Sequence, residues 1–220
     1  MELSHDTPLA DIATRLPGAA RVLERHRLDF CCRGQRSLED ACAERALDPA
    51  VVAAEIAAAA PPPDAVRWDE APLDALVAHI VDRYHARLRD DVSRLAEMAA
   101  KVERVHAAKP SCPVGLAKHL ATMDAAVQEH LDKEEGILFP MIVSGRGAQA
   151  HMPIRVMLQE HDDHGAALAR TRALTADLVA PPEACATWRA LYLGLAELEA
   201  DLHAHIHLEN YVLFPRALHG

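Results

Sequence analysis

His130-Leu-Asp-Lys-Glu134-Glu-Gly-Ile-Leu-Phe-Pro140 and His205-Ile-His-Leu-Glu209-Asn-Tyr-Val-Leu-Phe-Pro215 are one pattern written twice. In each, a histidine and a glutamate stand four residues apart and Leu-Phe-Pro follows. Four residues is about one helical turn, so each pair can address one point from one helix face. The surrounding apolar residues show which face that is. Leu116, Leu120, Met123 and Val127 lead to His130 and Glu134, and Ile137 and Met141 continue the stripe; Leu191, Leu195, Leu198 and Leu202 lead to His205, Glu209 and Val212. Both pairs thus occupy core positions. A carboxylate buried there alone costs several kcal/mol, so it must be protonated, salt-bridged or bound to a metal. No Lys or Arg lies on either stripe between its first leucine and its glutamate, and Lys133, adjacent to Glu134, faces another way. A metal satisfies both helices at once.

The remaining chain supplies two more such helices. Turn signals at Lys109-Pro110-Ser-Cys-Pro113, Ser144-Gly-Arg-Gly147 and Ala180-Pro181-Pro182 cut residues 72–218 into four long segments, which predicts an antiparallel four-helix bundle. On the first, Val77, Val81, Tyr84, Leu88, Val92, Leu95 and Ala99 form the apolar face, with His85 beside it. On the third, the face reads Ile154, Leu158, His161, Gly165, Leu168. His161 follows His85 by 76 positions and His205 follows His130 by 75, so the bundle reads as two copies of a helical hairpin. Each copy offers His from its first helix and His-x-x-x-Glu from its second. The expected ligands are therefore His85, His130, His161 and His205, two per metal, with Glu134 and Glu209 as bridges. Nitrogen and carboxylate donors without thiolate suit iron or manganese, although residue type alone leaves zinc open.

Composition agrees with an all-α protein: 50% of residues are hydrophobic but only 4% aromatic, and alanine is abundant. A net charge of −10 with no basic run argues against nucleic acid or an anionic membrane as partner. The start resembles no signal peptide and no apolar run is long enough to span a membrane, so the expected location is the cytoplasm. Five cysteines at irregular spacing suit a reducing compartment better than a disulfide framework. Residues 1–58 carry short helical signals: Pro17 at a helix start, Ser37 to Asp40 as a capping-box variant, Asp48-Pro49 as cap plus first-turn proline. Residues 59–70, with Pro61 to Pro63, read as a linker through which this small domain could swing toward the bundle of residues 71–220.

Most of the fourteen histidines call for no special role. His203 and His207 lie about 200° around their helix from His205 and are expected to be exposed. His164, one turn from His161, reads as a donor supporting a ligand, or as a fifth histidine ligand. His106 is about 30 Å from His85 along a straight helix and reads as structural; His79, His119, His151 and His219 read as structural or surface. Cys42, Cys112 and Cys185 default to packing or solvent. Cys31 and Cys32 differ, because a disulfide between sequence neighbours is strained and such a pair is better disposed to bind metal, react or bridge to a partner.

Taken together, the bundle resembles a hemerythrin-like di-iron domain. With Leu9-Ala-Asp-Ile-Ala13 and Asp29-Phe-Cys-Cys-Arg-Gly34, nearly the whole chain resembles the repair of iron centres family, which joins a small Cys-Cys domain to such a bundle. Arg33 stands where that family often has a second glycine. The resemblance implies two non-haem iron ions and repair of iron–sulfur clusters damaged by oxidative or nitrosative stress, by iron donation or nitric oxide handling. It implies damaged iron–sulfur proteins as partners, nitric oxide or oxygen as small ligands, and Cys31 and Cys32 as a transfer relay. An oxygen or nitric oxide sensor or store, and a nitric oxide reductase, are the alternative readings; oligomeric state stays open, a homodimer being one arrangement.

Overall fold

The computed structural model describes residues 3–61 and 65–219, so Pro62, Pro63 and Asp64 of the expected linker lie outside the described residues. Its elements are helical throughout, apart from one isolated bridge between Pro8 and Ser37. No described helix is long and apolar enough to cross a membrane.

Four short helices come first: α1 (Leu9–Arg15), α2 (Ala19–Arg25), α3 (Leu38–Glu44) and α4 (Pro49–Ala58). The starts of α3 and α4 follow the local sequence, whereas α1 and α2 begin without a side-chain cap, and Pro17 lies just before the Gly18 N-cap of α2. Ser37 Oγ accepts the Asp40 N–H at 3.0 Å, and Asp48 accepts the Ala50 N–H at 2.8 Å with Pro49 as first helical residue. Leu9, Ile12, Leu23, Phe30, Leu38 and Ile56 close a core of their own.

The bundle comes next in the chain. Its first helix joins α5 (Leu73–Ile80) to α6 (Ala86–His106), its second is α7 (Leu116–Lys133) with α8 (Phe139–Val143), its third is α9 (His151–Leu174), and its fourth joins α10 (Ala186–Leu208) to α11 (Phe214–His219). Short connections return the chain each time, and the first helix packs along the second and fourth. Glycine permits close approach at one such contact, where a Cβ on Gly194 would meet Leu95 Cδ2 at 2.7 Å.

Three of the four bundle helices are interrupted by one π-helical turn, at Val81–His85, Glu134–Leu138 and Glu209–Leu213. A π turn adds one residue to the helix and rotates the turns beyond it by about 100°. That rotation overturns the continuous stripe expected beyond Glu134: Ile137 is 56% exposed and Met141 only partly buried, while Leu138, Phe139 and Ile142 turn inward. On the third helix Ile154, His161 and Leu168 of the expected face are buried, but two of its positions are not. Met157 and His164 are buried, whereas Leu158 is 39% exposed and Gly165 half-buried.

The bundle core consists of two apolar blocks. One contains Leu88, Val127, Leu131, Leu168, Leu202 and Ile206, the other Ile80, Leu138, Met157, Val212 and Phe214. Along every helix the proposed ligands fall where one block gives way to the other. The small domain sits against the bundle, with Cys31 packed into the first block and Phe30 against the rings of His203 and His207 at 6.3 and 5.3 Å. This corrects one expectation: His207, expected to be exposed, is buried beneath the small domain, 5% exposed, and His203 is half-buried.

Candidate metal centre

All six predicted residues meet in the layer between the two apolar blocks, and all are buried: His85, His130, Glu134, His161, His205 and Glu209. Their donor atoms form two sets, His85 with His205 and His130 with His161, and both glutamates belong to each set. Within a set the donor atoms lie within 4.8 Å of one another. His85 and His205 bring their Nε2 atoms to 3.3 Å, His130 and His161 theirs to 3.2 Å.

The far side of three of these rings is held by an oxygen. His85 Nδ1 donates to Glu135 at 2.8 Å, His130 Nδ1 to Glu160 at 2.9 Å, and His161 Nδ1 to the Asn210 side-chain oxygen at 2.6 Å. A proton on Nδ1 leaves the Nε2 lone pair facing the glutamates, which is the tautomer a metal-binding imidazole needs. Glu135 is steadied by Arg89 and Glu160 by Lys133. Glu135, Glu160 and Asn210 were missed in the sequence, although each is adjacent to a predicted ligand. Adjacency was the available signal, and the direction of each side chain depends on which neighbouring helix it meets.

A cation fits this set on electrostatic grounds. The oxygens of Glu134 and Glu209 are all buried and face imidazole nitrogens, with His161 and His205 Nε2 each 3.1 Å from Glu209 and His85 and His130 Nε2 3.6 and 3.5 Å from Glu134. Such acceptors are costly inside a protein unless something positive meets them. Without a metal the protonation states are forced apart. Burial and the neighbouring Glu209 push the Glu134 carboxyl well above its ordinary value; Glu209, despite the same burial, is held well below by His205 and His161. Burial acts to lower His205, but Glu209 and Glu134 outweigh it and raise the imidazole to about 10. Burial and the neighbouring imidazoles lower both His85 and His130. The buried charge is thus compensated by protons that metal cations could replace.

Other residues stand apart from both sets. His164 is buried with its ring 4.9 Å from that of His130, and its Nε2 has no partner. His106 pairs with Cys185 at 3.2 Å and lies over Trp188, at the end of the first bundle helix. Cys42 and Cys112 are buried and Cys185 is exposed.

Cys31 and Cys32 lie against the centre's third helix. The Asp29 carboxylate accepts the N–H groups of Cys31, Cys32 and Arg33, which pins the turn. Burial opposes ionisation of Asp29, but these bonds hold it below its ordinary value. The two sulfurs are 3.5 Å apart, and Cys32 Sγ is 3.5 Å from the carbonyl oxygen of His161. Gly165 allows that approach, since a Cβ there would lie 3.1 Å from Cys32 Sγ. The Cys31 thiol is pushed well above its ordinary value by its hydrogen bond with Cys32 and by burial. A third group with metal-ligand chemistry, Asp29, Cys31 and Cys32, therefore sits beside the two His/Glu sets.

Comparison with known proteins agrees with this geometry. Residues 76–217 match the hemerythrin HHE cation binding domain, and residues 5–60 match a domain described as of unknown function (DUF542). The chain is 47% identical over 215 residues to the iron-sulfur cluster repair protein YtfE of Escherichia coli O157:H7, covering 98% of each chain. It is 47% identical to the protein of that name from Cronobacter sakazakii, covering 98% of this chain and 97% of the relative, and 48% identical to that of Edwardsiella ictaluri, covering 97% of each. With a cation-binding bundle, a small Cys-Cys domain and this likeness over nearly its whole length, the chain belongs to the iron-sulfur cluster repair protein family.

Proposed function

We propose that this protein repairs damaged iron–sulfur clusters by means of a carboxylate-bridged di-iron centre, releasing iron to a damaged client or intercepting nitric oxide. One observation carries the metal assignment: the two buried carboxylates of Glu134 and Glu209, facing imidazole nitrogens and common to two histidine pairs. Two divalent ions there would offset the glutamate charge and give each imidazole Nε2 a partner. Bound iron supplies an exchangeable, redox-active Lewis acid. The protein's own part is to orient the four imidazoles through Glu135, Glu160, Asn210 and helix packing, and to keep bulk water out with the two apolar blocks.

Iron handed to a client is cargo, so it must be held firmly enough to load and loosely enough to leave. Cys31 and Cys32, as a transfer relay, belong to the same reading because their turn lies against His161. The cytoplasm, where iron–sulfur enzymes and reduced thiols coexist, is the compartment this reading requires.

The test is restoration of a nitric-oxide-damaged iron–sulfur enzyme in a defined mixture, with iron content and optical spectrum followed before and after nitric oxide. The iron-loaded protein should bind about two irons per chain and restore the enzyme. The Glu134→Leu/Glu209→Leu protein should do neither. Reversible nitric oxide binding with no restoration would replace repair by sensing, and full iron retention in the double variant would overturn the assigned bridges.

A further inference from the structure

Asn210 touches both halves of the protein. Its side-chain oxygen accepts from His161 Nδ1 at 2.6 Å, and its nitrogen donates to the Cys31 carbonyl oxygen at 2.9 Å. It is the first residue after Glu209, within the π turn that interrupts the fourth bundle helix. One planar amide therefore joins a proposed ligand to the cysteine turn through two directional hydrogen bonds.

Two further observations make this more than a local fit. The turn at the other end is itself fixed: Asp29 accepts from the three successive N–H groups of Cys31, Cys32 and Arg33. The same face is anchored beside Asn210, where Tyr211 Oη accepts the Gly34 N–H at 3.0 Å and the His207 ring meets the Phe30 carbonyl oxygen at 3.3 Å. A shift of the Cys31 carbonyl must therefore move Asn210, lose the 2.9 Å bond, or displace the docked segment. Moving Asn210 withdraws the acceptor that orients the His161 ring. Among the three oriented imidazoles, His85 and His130 rest on carboxylates carried by the bundle itself, so His161 alone is oriented by a group that also contacts the small domain.

We infer that Asn210 is a positioning residue that couples the Cys31–Cys32 turn to the hold on one of the two metals, the one shared by His130, His161, Glu134 and Glu209. The inference rests on the di-iron reading. Engagement of the cysteine turn by a client would loosen that metal, and loss of the metal would free the turn; coupling between two bound states runs in both directions. The other set, His85 with His205, shares both glutamates but has no such hydrogen bond to the cysteine turn.

The test is a double-mutant cycle on the full-length, iron-loaded protein, reading the rate of iron extraction by a chromogenic chelator and the rate of Cys32 labelling by a small thiol reagent. Asn210→Asp keeps an oxygen for His161 but loses the donor to Cys31. Asp29→Ala releases the cysteine turn without touching the centre. Asp29→Ala should speed extraction of one iron by about fivefold or more, within the usual range of coupling energies, and should add little further in an Asn210→Asp background. Removing iron should speed Cys32 labelling in the wild-type chain and leave it nearly unchanged in Asn210→Asp.

Independent effects of the two substitutions on extraction would overturn the inference. So would equal labelling of iron-loaded and iron-free wild type, a comparison that needs no variant to fold. A wild-type chain that binds no iron would instead defeat the di-iron reading, and would be seen first in its iron content.

Discussion

Each proposed bridging glutamate is useful with a metal and a burden without one. Glu134 and Glu209 share one buried layer in which imidazole nitrogens face their carboxylates. Without metal the Glu134 carboxyl keeps its proton, so leucine there removes a buried polar group rather than one partner of an ion pair, and relieves a burial cost of about 1–3 kcal/mol. Glu134→Leu should therefore lower bound iron and yet leave the metal-free protein at least as resistant to urea as metal-free wild type. Iron content and urea midpoints, measured on the same preparations, check both halves. Glu135→Gln and Glu160→Gln keep the size of the groups behind His85 and His130 but weaken their acceptors, and changes of this kind cost about 10–100-fold in metal affinity. Competition with a chelator of known affinity would read that loss, and unchanged affinity would mean that packing alone orients the rings.

The element that joins the two domains is the π turn of the fourth bundle helix together with the helix leading into it. His207 lies there under Phe30, with its Nε2 3.2 Å from Thr14 Oγ1. Burial lowers the imidazole from 6.5 to about 4. Because the folded value is depressed, the unfolded chain takes up the proton first, so stability is fully present above pH 6.5 and is lost as pH falls toward 4. The greatest contribution is about 3 kcal/mol at 1.36 kcal/mol per pH unit. Urea unfolding of the metal-free protein should show the loss, to which buried His164, lowered likewise to about 4, adds over the same window, and His207→Gln should reduce but not abolish it.

The π turn at Glu134–Leu138 supports a separate expectation. Deleting Gly136, whose Cβ position is open, would convert the turn to regular helix and keep Leu138, Phe139 and Ile142 facing the core. Helical content should survive while iron binding falls, as read by circular dichroism and metal analysis. Loss of both would mean that the inserted residue serves the core rather than the site.

At the scale of the whole molecule, the small domain acts as a wall of the bundle. Cys31 belongs to the first apolar block of the bundle, and Arg27 pairs with Asp177 across the boundary. A chain beginning at residue 65 retains all six proposed ligands and every bundle helix. It should fold and load iron, but it should release iron to a chelator faster than the full chain because Asn210 loses its Cys31 partner. Equal release from both chains would show that the small domain contributes nothing to retention. An insoluble product would show that the bundle core depends on the docked domain.

The sequence by itself determined the helical class, the four bundle segments and the six residues that meet between the apolar blocks. It could do so because helical periodicity is local: a His and a Glu four apart on an apolar stripe share a face wherever the helix goes. Only the tertiary structure decided the rest. The inserted residue in each π turn leaves no simple mark in the apolar pattern, so Ile137 was placed inside and Leu138 was not. The groups behind the imidazoles depend on which helix lies opposite, and His207 is buried by a domain nearly two hundred positions earlier in the chain. Contacts at that separation are set by how two finished surfaces fit, and no local repeat encodes them.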